Sequence, residues 1–315
     1  MAENKPKIVT VCGPTASGKT WLGVEIALAY GGEVVSADSM QIYKGMNIAS
    51  AKPTAEEMKG IPHHLIDFLE PGCSFSAADY VKLAHEKIRD ILDRGKLPVI
   101  VGGTGLYIDS LLNNITFSEV RSDEAYRREL YIFAEKNGND ALYEKLLSAD
   151  PEAAKSIHMN NLVRVIRALE VIHVTGRKFS DLKEESRKYE SPYDPLILGL
   201  NASDRQVLYD RIDKRVDEMI ERGLVEEARS LWQNSRMATA GNAIGYKELI
   251  PFFEGQAELE ACIDKIKLET RHYAKRQLTW FRKNDRIHWL FFDCFSKKCE
   301  IFEKSQKAME MYGII

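Results

Sequence analysis

The residues GPTASGKT at 13–20 are the first in the chain whose types and spacing could do chemistry. Gly13, Gly18, Lys19 and Thr20 fit G-x-x-x-x-G-K-[ST], with Pro14, Thr15, Ala16 and Ser17 between them. In that pattern backbone N–H groups cradle phosphate oxygens, the lysine adds a point charge and the hydroxyl can hold Mg²⁺. The chemistry on offer is binding of a nucleoside triphosphate or of any diphosphate that fits, and the loop alone does not choose. A glycine-rich turn with no ligand would have no use for Lys19. Asp38 follows the run GGEVVSA, and a carboxylate there could accept a proton. GGTG at 102–105 follows KLPVIV, and its missing side chains would let a ligand approach the backbone. Arg164 with Arg167, and Arg211 with Arg215, lie about one helical turn apart. A solvated helix face explains the first pair on spacing alone as well as phosphate binding does. From Thr270 to Arg286 the chain carries Arg271, Lys275, Arg276, Arg282, Lys283 and Arg286 against Asp285, with Tyr273, Trp280 and Phe281 among them. Such a tract could bind phosphates and stack bases, or be an amphipathic helix whose aromatics, Trp280 included, face the core.

The elements that must position these residues follow from periodicity. Ile8, Val9, Val11 and Cys12 suit a buried parallel strand, and Leu22, Ile26 and Ala29 a helix after it, so the loop lies on a helix N-terminus. Glu33 to Ala37 predicts a second strand with Asp38 at its carboxyl end, the edge where open α/β sheets bind ligands. A third strand is expected around Leu65 and Ile66, a helix from Ser76 to Asp93, and a fourth strand in KLPVIV. After Leu112 the strand-like runs stop. Helices are expected over Asp123 to Lys136, Asn139 to Ser148 and Asn161 to Thr175, the last closing at Gly176 with Leu162, Val165, Ile166, Leu169 and Ile172 as its apolar stripe. Leu196 to Leu200 looks like a return into the sheet. Asp204 to Trp232 is expected as one helix, Ala257 to Arg282 as another and Ile287 to Phe292 as a last strand. The expected fold is α/β, a parallel sheet flanked by helices, with residues 1–113 and 196–315 forming the core and 114–195 an inserted all-helical subdomain.

Composition bounds the class. The chain has 315 residues, 44% of them hydrophobic, enough for a sizeable core. No run approaches a membrane span and MAENKPKI is not a secretory signal, so a cytoplasmic protein is expected, with no membrane partner. The five cysteines fall into no C-x-x-C pair and read as reduced thiols. Cys294, Cys299 and His288 have irregular spacing for zinc and lack a fourth ligand. The net charge of −3 rules out a globally basic nucleic-acid binder but not a local basic surface.

GPTASGKT at 13–20, ADSMQIYKGMNIASAKP at 37–53, GGTGLY at 102–107, RVIRALEV at 164–171, IGYKE at 244–248 and ETRHYAKRQLTWFR at 269–282 together resemble the bacterial tRNA dimethylallyltransferases, from about residue 7 to 290. The resemblance implies a P-loop kinase-like core whose loop holds the diphosphate of dimethylallyl diphosphate, with Mg²⁺, instead of ATP. It implies Asp38 as base for the adenine exocyclic amine, Thr104 as its partner in the reaction channel and Arg215 on the diphosphate. Ser39, Met40, Gln41, Arg127, Arg164, Arg167, the loop Asn242 to Lys247 with Gly245 and Tyr246, and Arg271 with Lys275 and Arg276 match positions that touch tRNA. Lys247 stands where some relatives have arginine. The implied partner is the anticodon stem-loop of tRNA, and the implied state a monomer. Three other readings share parts of the pattern: an isopentenyltransferase of free adenine nucleotides, a small-molecule P-loop kinase, and an RNA-binding scaffold switched by ATP or GTP.

Overall fold

The computed structural model describes residues 5–117, 122–233 and 243–315. Its chain forms two compact units, Met1–Leu112 with Pro192–Ile315, and Asn113–Ser191. In the first, β1 (Lys7–Cys12) leads through the glycine loop into α1 (Lys19–Ala29), and β2 (Glu33–Ala37) follows. A short α2 (Ala55–Met58), capped by Thr54 and Glu57, precedes β3 (His63–His64). That strand is shorter than its apolar run suggests because Leu65 and Asp67 take left-handed backbone, φ 58° and 56°, which ends the pleat. Next come α3 (Ala77–Asp93), opened by a reciprocal Ser76–Asp79 cap, then β4 (Pro98–Gly102) and α4 (Gly105–Leu112).

The second unit holds α5 (Glu124–Ala149), α6 (Pro151–Ser156), α7 (Leu162–Thr175) and α8 (Phe179–Glu185). Gly138, at φ 88° and ψ 160°, interrupts α5 where the sequence separates two helices. Leu142, Leu146, Val165, Ile166 and Leu169 form this unit's core. Asp150, fully buried, accepts from Ala153 N at 3.0 Å and Ser180 N at 2.8 Å, so one carboxylate starts α6 and ties it to α8.

Back in the first unit, β5 (Asp194–Asn201) is followed by α9 (Arg205–Glu221) and α10 (Leu224–Gln233). Gly223, at φ 95°, splits what the sequence suggests as one helix. After α11 (Ile250–Phe253) and α12 (Leu259–Phe281), β6 (Ile287–Phe291) closes the sheet and α13 (Lys298–Met311) packs over it. The six strands are all parallel in the order β3-β2-β4-β1-β5-β6. Side chains alternate: Val9, Val11, Leu196, Leu198 and Leu200 face α1 and α13, while Ile8, Cys12, Ile100 and Ile197 face α3 and α4. A sheet covered on both faces needs such apolar strands, and each leucine or isoleucine buried there contributes about 1.5–3 kcal/mol.

Register then fixes what the sheet presents. Cys12 and Ala37 both lie beside Gly102, so Gly13, Asp38 and Gly103 leave the sheet side by side.

Candidate active site

The phosphate loop turns with Gly18 at φ 92° as the residue before α1, a backbone position that favours glycine. The opening of α1 carries Lys19 and Thr20, so the helix dipole and the loop N–H groups point at one space. Lys19 Nζ donates to Pro14 O at 3.2 Å. Burial pushes its pKa down to about 8, opposed by the nearby Asp38 carboxylate and reinforced by Arg215. That mutual influence places Lys19, Asp38 and Arg215 in one electrostatic field. Arg215, on α9, is also pushed down by burial, and no ion pair holds it among the described residues. Arg211, one turn earlier, packs over Phe292 at 4.2 Å, with its guanidinium next to Gly18. The helical spacing of the two arginines was visible in the sequence, but Arg211's approach to the loop depends on Phe292. A cavity lined by Lys19, Thr20, Asp38, Gln41 and Gly102 opens here.

Asp38 and Thr104 meet across the neighbouring strand ends. Asp38 Oδ1 accepts from Met40 N at 2.9 Å, which orients the carboxylate. Thr104 N donates to Ala37 O at 3.1 Å, Ser39 N donates to Thr104 Oγ1 at 3.0 Å, and the Thr104 hydroxyl reaches Ser39 Oγ at 3.3 Å. Tyr273 of α12 lies beside the Thr104 and Gln277 side chains, and burial, then the Asp38 charge, raises its pKa.

Gly102 lines the cavity, but Gly103 and Gly105 serve packing, which corrects for those two the expectation that they leave room for a ligand. A Cβ on Gly103 would stand 2.3 Å from Gln277 Nε2, and one on Gly105 2.4 Å from Trp280 Cδ1. The space belongs to α12. Trp280 is half-buried and its indole N–H donates to Asp109.

The residues matched to tRNA contacts divide by environment. Lys275 and Arg276 are exposed on α12 and have no ion-pair partner among the described residues; with His272, Thr279, Trp280 and Lys283 they line a shallow groove. Arg271, by contrast, donates to both oxygens of Asp213 at 2.6 Å and braces α9. Gln41 is engaged too, its amide donating to Ala51 O at 3.1 Å, while Met40 packs against the cluster around Ile42. Tyr246 corrects the sequence reading: its side chain is 0% exposed and donates to Glu227 at 2.7 Å, so it holds the loop from inside and presents no ring to RNA. Gly245, at φ 101°, donates to Glu248 at 2.9 Å, and Lys247 is exposed on the same loop. Asn242 lies outside the described residues. In the helical unit Arg164 is exposed, whereas Arg127 Nε and Arg167 NH1 approach Glu170 at 2.8 and 2.6 Å. Glu170 is 0% exposed and also accepts from Asp123 N at 2.8 Å. Burial would raise its pKa, but the bonds from Arg167, Arg127 and Asp123 prevail and lower it. Sequence reasoning passed over Glu170 because a glutamate in a helix ordinarily reads as solvated.

With this geometry in place, comparison with known proteins gives one family. The model of the IPP transferase family matches residues 41–284. A tRNA dimethylallyltransferase of a Thermoanaerobacter species is 50% identical over 94% of this chain and 95% of its own. The full-length tRNA isopentenylpyrophosphate transferase of Bacillus halodurans superposes with TM-score 0.71 at 45% identity, covering 98% of each chain. A eukaryotic dimethylallyltransferase acting on tRNA reaches TM-score 0.79 at 30% identity over 96% of this chain and 78% of its own. The chain belongs to the IPP transferase family, a class of α/β prenyltransferases.

Proposed function

We propose that this protein transfers the dimethylallyl group of dimethylallyl diphosphate to the exocyclic amine of the adenosine 3′ of the anticodon in tRNA, releasing diphosphate. The observation that carries it is the convergence of Lys19 on α1 and Arg215 on α9 with Asp38 at the carboxyl end of β2. In the reaction the allylic C–O bond breaks, a C–N bond forms and the amine loses a proton. Negative charge accumulates on the leaving diphosphate, where Lys19, Arg215 and the loop N–H groups receive it. Asp38 takes the proton, with Ser39 and Thr104 linked beside it. The target base enters extruded from its stack. Among the described residues no group of three His, Cys, Asp or Glu comes together, so Mg²⁺ would take an oxygen from Thr20 and most of its shell from diphosphate and water. Bound there, it would neutralise charge on the leaving group.

The RNA side of the reading rests on Lys275 and Arg276, with Lys247 and Arg164 as further exposed cations. A free nucleotide would have little use for any of them. Among the described residues no helix is long and apolar enough to cross a membrane. A cytoplasmic monomer is part of the proposal. The test compares binding of dimethylallyl diphosphate with ATP, and tRNA nucleosides by mass spectrometry from cells with active or Lys19→Ala protein. Tight ATP binding with no prenylated adenosine would reject it, and prenylation of free AMP at tRNA rates would favour the nucleotide-acting alternative.

A further inference from the structure

We infer that Gln277 is a positioning residue that holds the phosphate loop and the Thr104 loop in register, and so sets the distance between the diphosphate cradle and the proton acceptor. Its amide spans the two loops. Thr15 N donates to Gln277 Oε1 at 2.9 Å, and Gln277 Nε2 donates to Gly103 O at 2.8 Å. The side chain is 5% exposed, and the close fit against Gly103 leaves no room for a Cβ on that residue. One end of the amide must accept and the other donate, which glutamine does in one planar group; a carboxylate cannot donate and an ammonium cannot accept.

Gln277 does not stand alone on its helix. Tyr273, one turn earlier, lies beside both Thr104 and Gln277, and Trp280, one turn later, fills the space over Gly105. The spacing 273, 277, 280 puts all three on the face of α12 that presses on GGTG. Lys275, Arg276 and Thr279 stand on the other face, exposed. Gln277 thus reaches the phosphate loop from a helix whose outer side carries the free cations. Its effect is on alignment, since both ends of its amide are engaged by protein groups and the side chain is 5% exposed.

This inference rests on the prenyl-transfer reading, which wild-type protein run alongside tests separately by prenylating an anticodon stem-loop. The variants are Gln277→Met, which keeps volume and removes both bonds, and Gln277→Glu. Dissociation constants for dimethylallyl diphosphate alone and for the stem-loop alone should stay within about threefold of wild type, while kcat falls about 10- to 100-fold, the scale of a small misalignment. Gln277→Glu adds a readout that simple destabilisation would not move. Protonated, its carboxyl can donate to Gly103 O and accept from Thr15 N as the amide does. Tyr273, the titratable group beside Gln277, has a raised pKa and stays protonated throughout. The kcat of Gln277→Glu relative to wild type should therefore recover as pH falls, and that of Gln277→Met should stay low. A folded Gln277→Met protein with wild-type kcat would overturn the inference. So would a loss residing wholly in the dissociation constants, or a Gln277→Glu ratio flat with pH. Should Gln277→Met fail to fold, the pH dependence of Gln277→Glu decides alone.

Discussion

Replacing Lys275 and Arg276 together with alanine should flatten the salt dependence of RNA binding, and replacing Arg271 should not. The difference comes from what each cation already touches. Lys275 and Arg276 are exposed without ion-pair partners among the described residues, whereas Arg271 is held by both oxygens of Asp213. A cation that neutralises one phosphate adds about 0.7–0.9 to the slope of log affinity against log salt. Over a fourfold rise, from about 50 to 200 mM, one contact therefore accounts for roughly a 2.6- to 3.5-fold loss of affinity. Two contacts account for about 7- to 12-fold, so the double variant should bind more weakly at low salt and lose correspondingly less affinity as salt rises. Arg271→Ala should keep the wild-type slope and lower the melting temperature, because Asp213 loses its partner between α12 and α9. Fluorescence anisotropy of a labelled anticodon stem-loop across that salt range reads both slopes. A double variant with the wild-type slope, or an Arg271 variant flattened as much as the double variant, would refute the assignment of free and committed cations.

Other expectations follow from the site. Lys19→Ala should abolish turnover with unfolding unchanged, checked by stem-loop prenylation and thermal melts. In wild type, Lys19 loses its proton as pH rises through about 8, so diphosphate affinity by calorimetry should fall by up to about tenfold per pH unit above that point. Burying the charged lysine opposes folding below about 8, and this cost fades as pH climbs toward 10.5, the ordinary value of a lysine. Asp38→Asn should cost about 10²-fold or more in kcat with modest change in RNA affinity, by single-turnover assay; a loss confined to affinity would move the base elsewhere. Glu170→Gln leaves Arg127 and Arg167 without their shared anion and should destabilise the protein by about 3 kcal/mol at neutral pH, read by denaturant unfolding. Because Glu170's pKa is lowered on folding, that difference is complete above the unfolded value near 4.5 and shrinks as pH falls through the folded one.

Much of this site can be read in the sequence because it lies at strand ends. Apolar runs mark β1, β2 and β4, and register alone then brings Gly13, Asp38 and Gly103 together. What sequence does not mark is the residue that reaches the site from a distant element. Gln277 lies in a tract that draws attention for its cations, and nothing in its spacing announces that its amide faces Thr15. Glu170 escaped for the same reason, as did the engagement of Arg271 by Asp213: each depends on which helices touch, and periodicity does not contain that information. Gly103 and Gly105 were misread because an absent side chain says only that something comes close. Tyr246 was matched to a position that touches tRNA, while its hydroxyl turns inward to Glu227.

The strand order has a consequence for how the chain is born. β1 ends at Cys12 and pairs on one side with β4, but its other neighbour, β5, runs from Asp194 to Asn201. At ribosomal speeds of about 5–20 residues per second, the free edge of β1 waits some 10–40 s for its partner. That edge belongs to a strand apolar on both sides, the kind that joins to other nascent chains when left open. When β5 arrives, the junction is fastened by residues far apart in the chain: Asp194 N donates to Pro6 O at 3.0 Å, Tyr312 Oη donates to Asp194 at 2.6 Å, and Lys7 Nζ donates to Gly313 O at 2.9 Å. Truncating the chain before α13 should thus first reduce soluble yield during synthesis, since residues that fasten the first strand are made long after it.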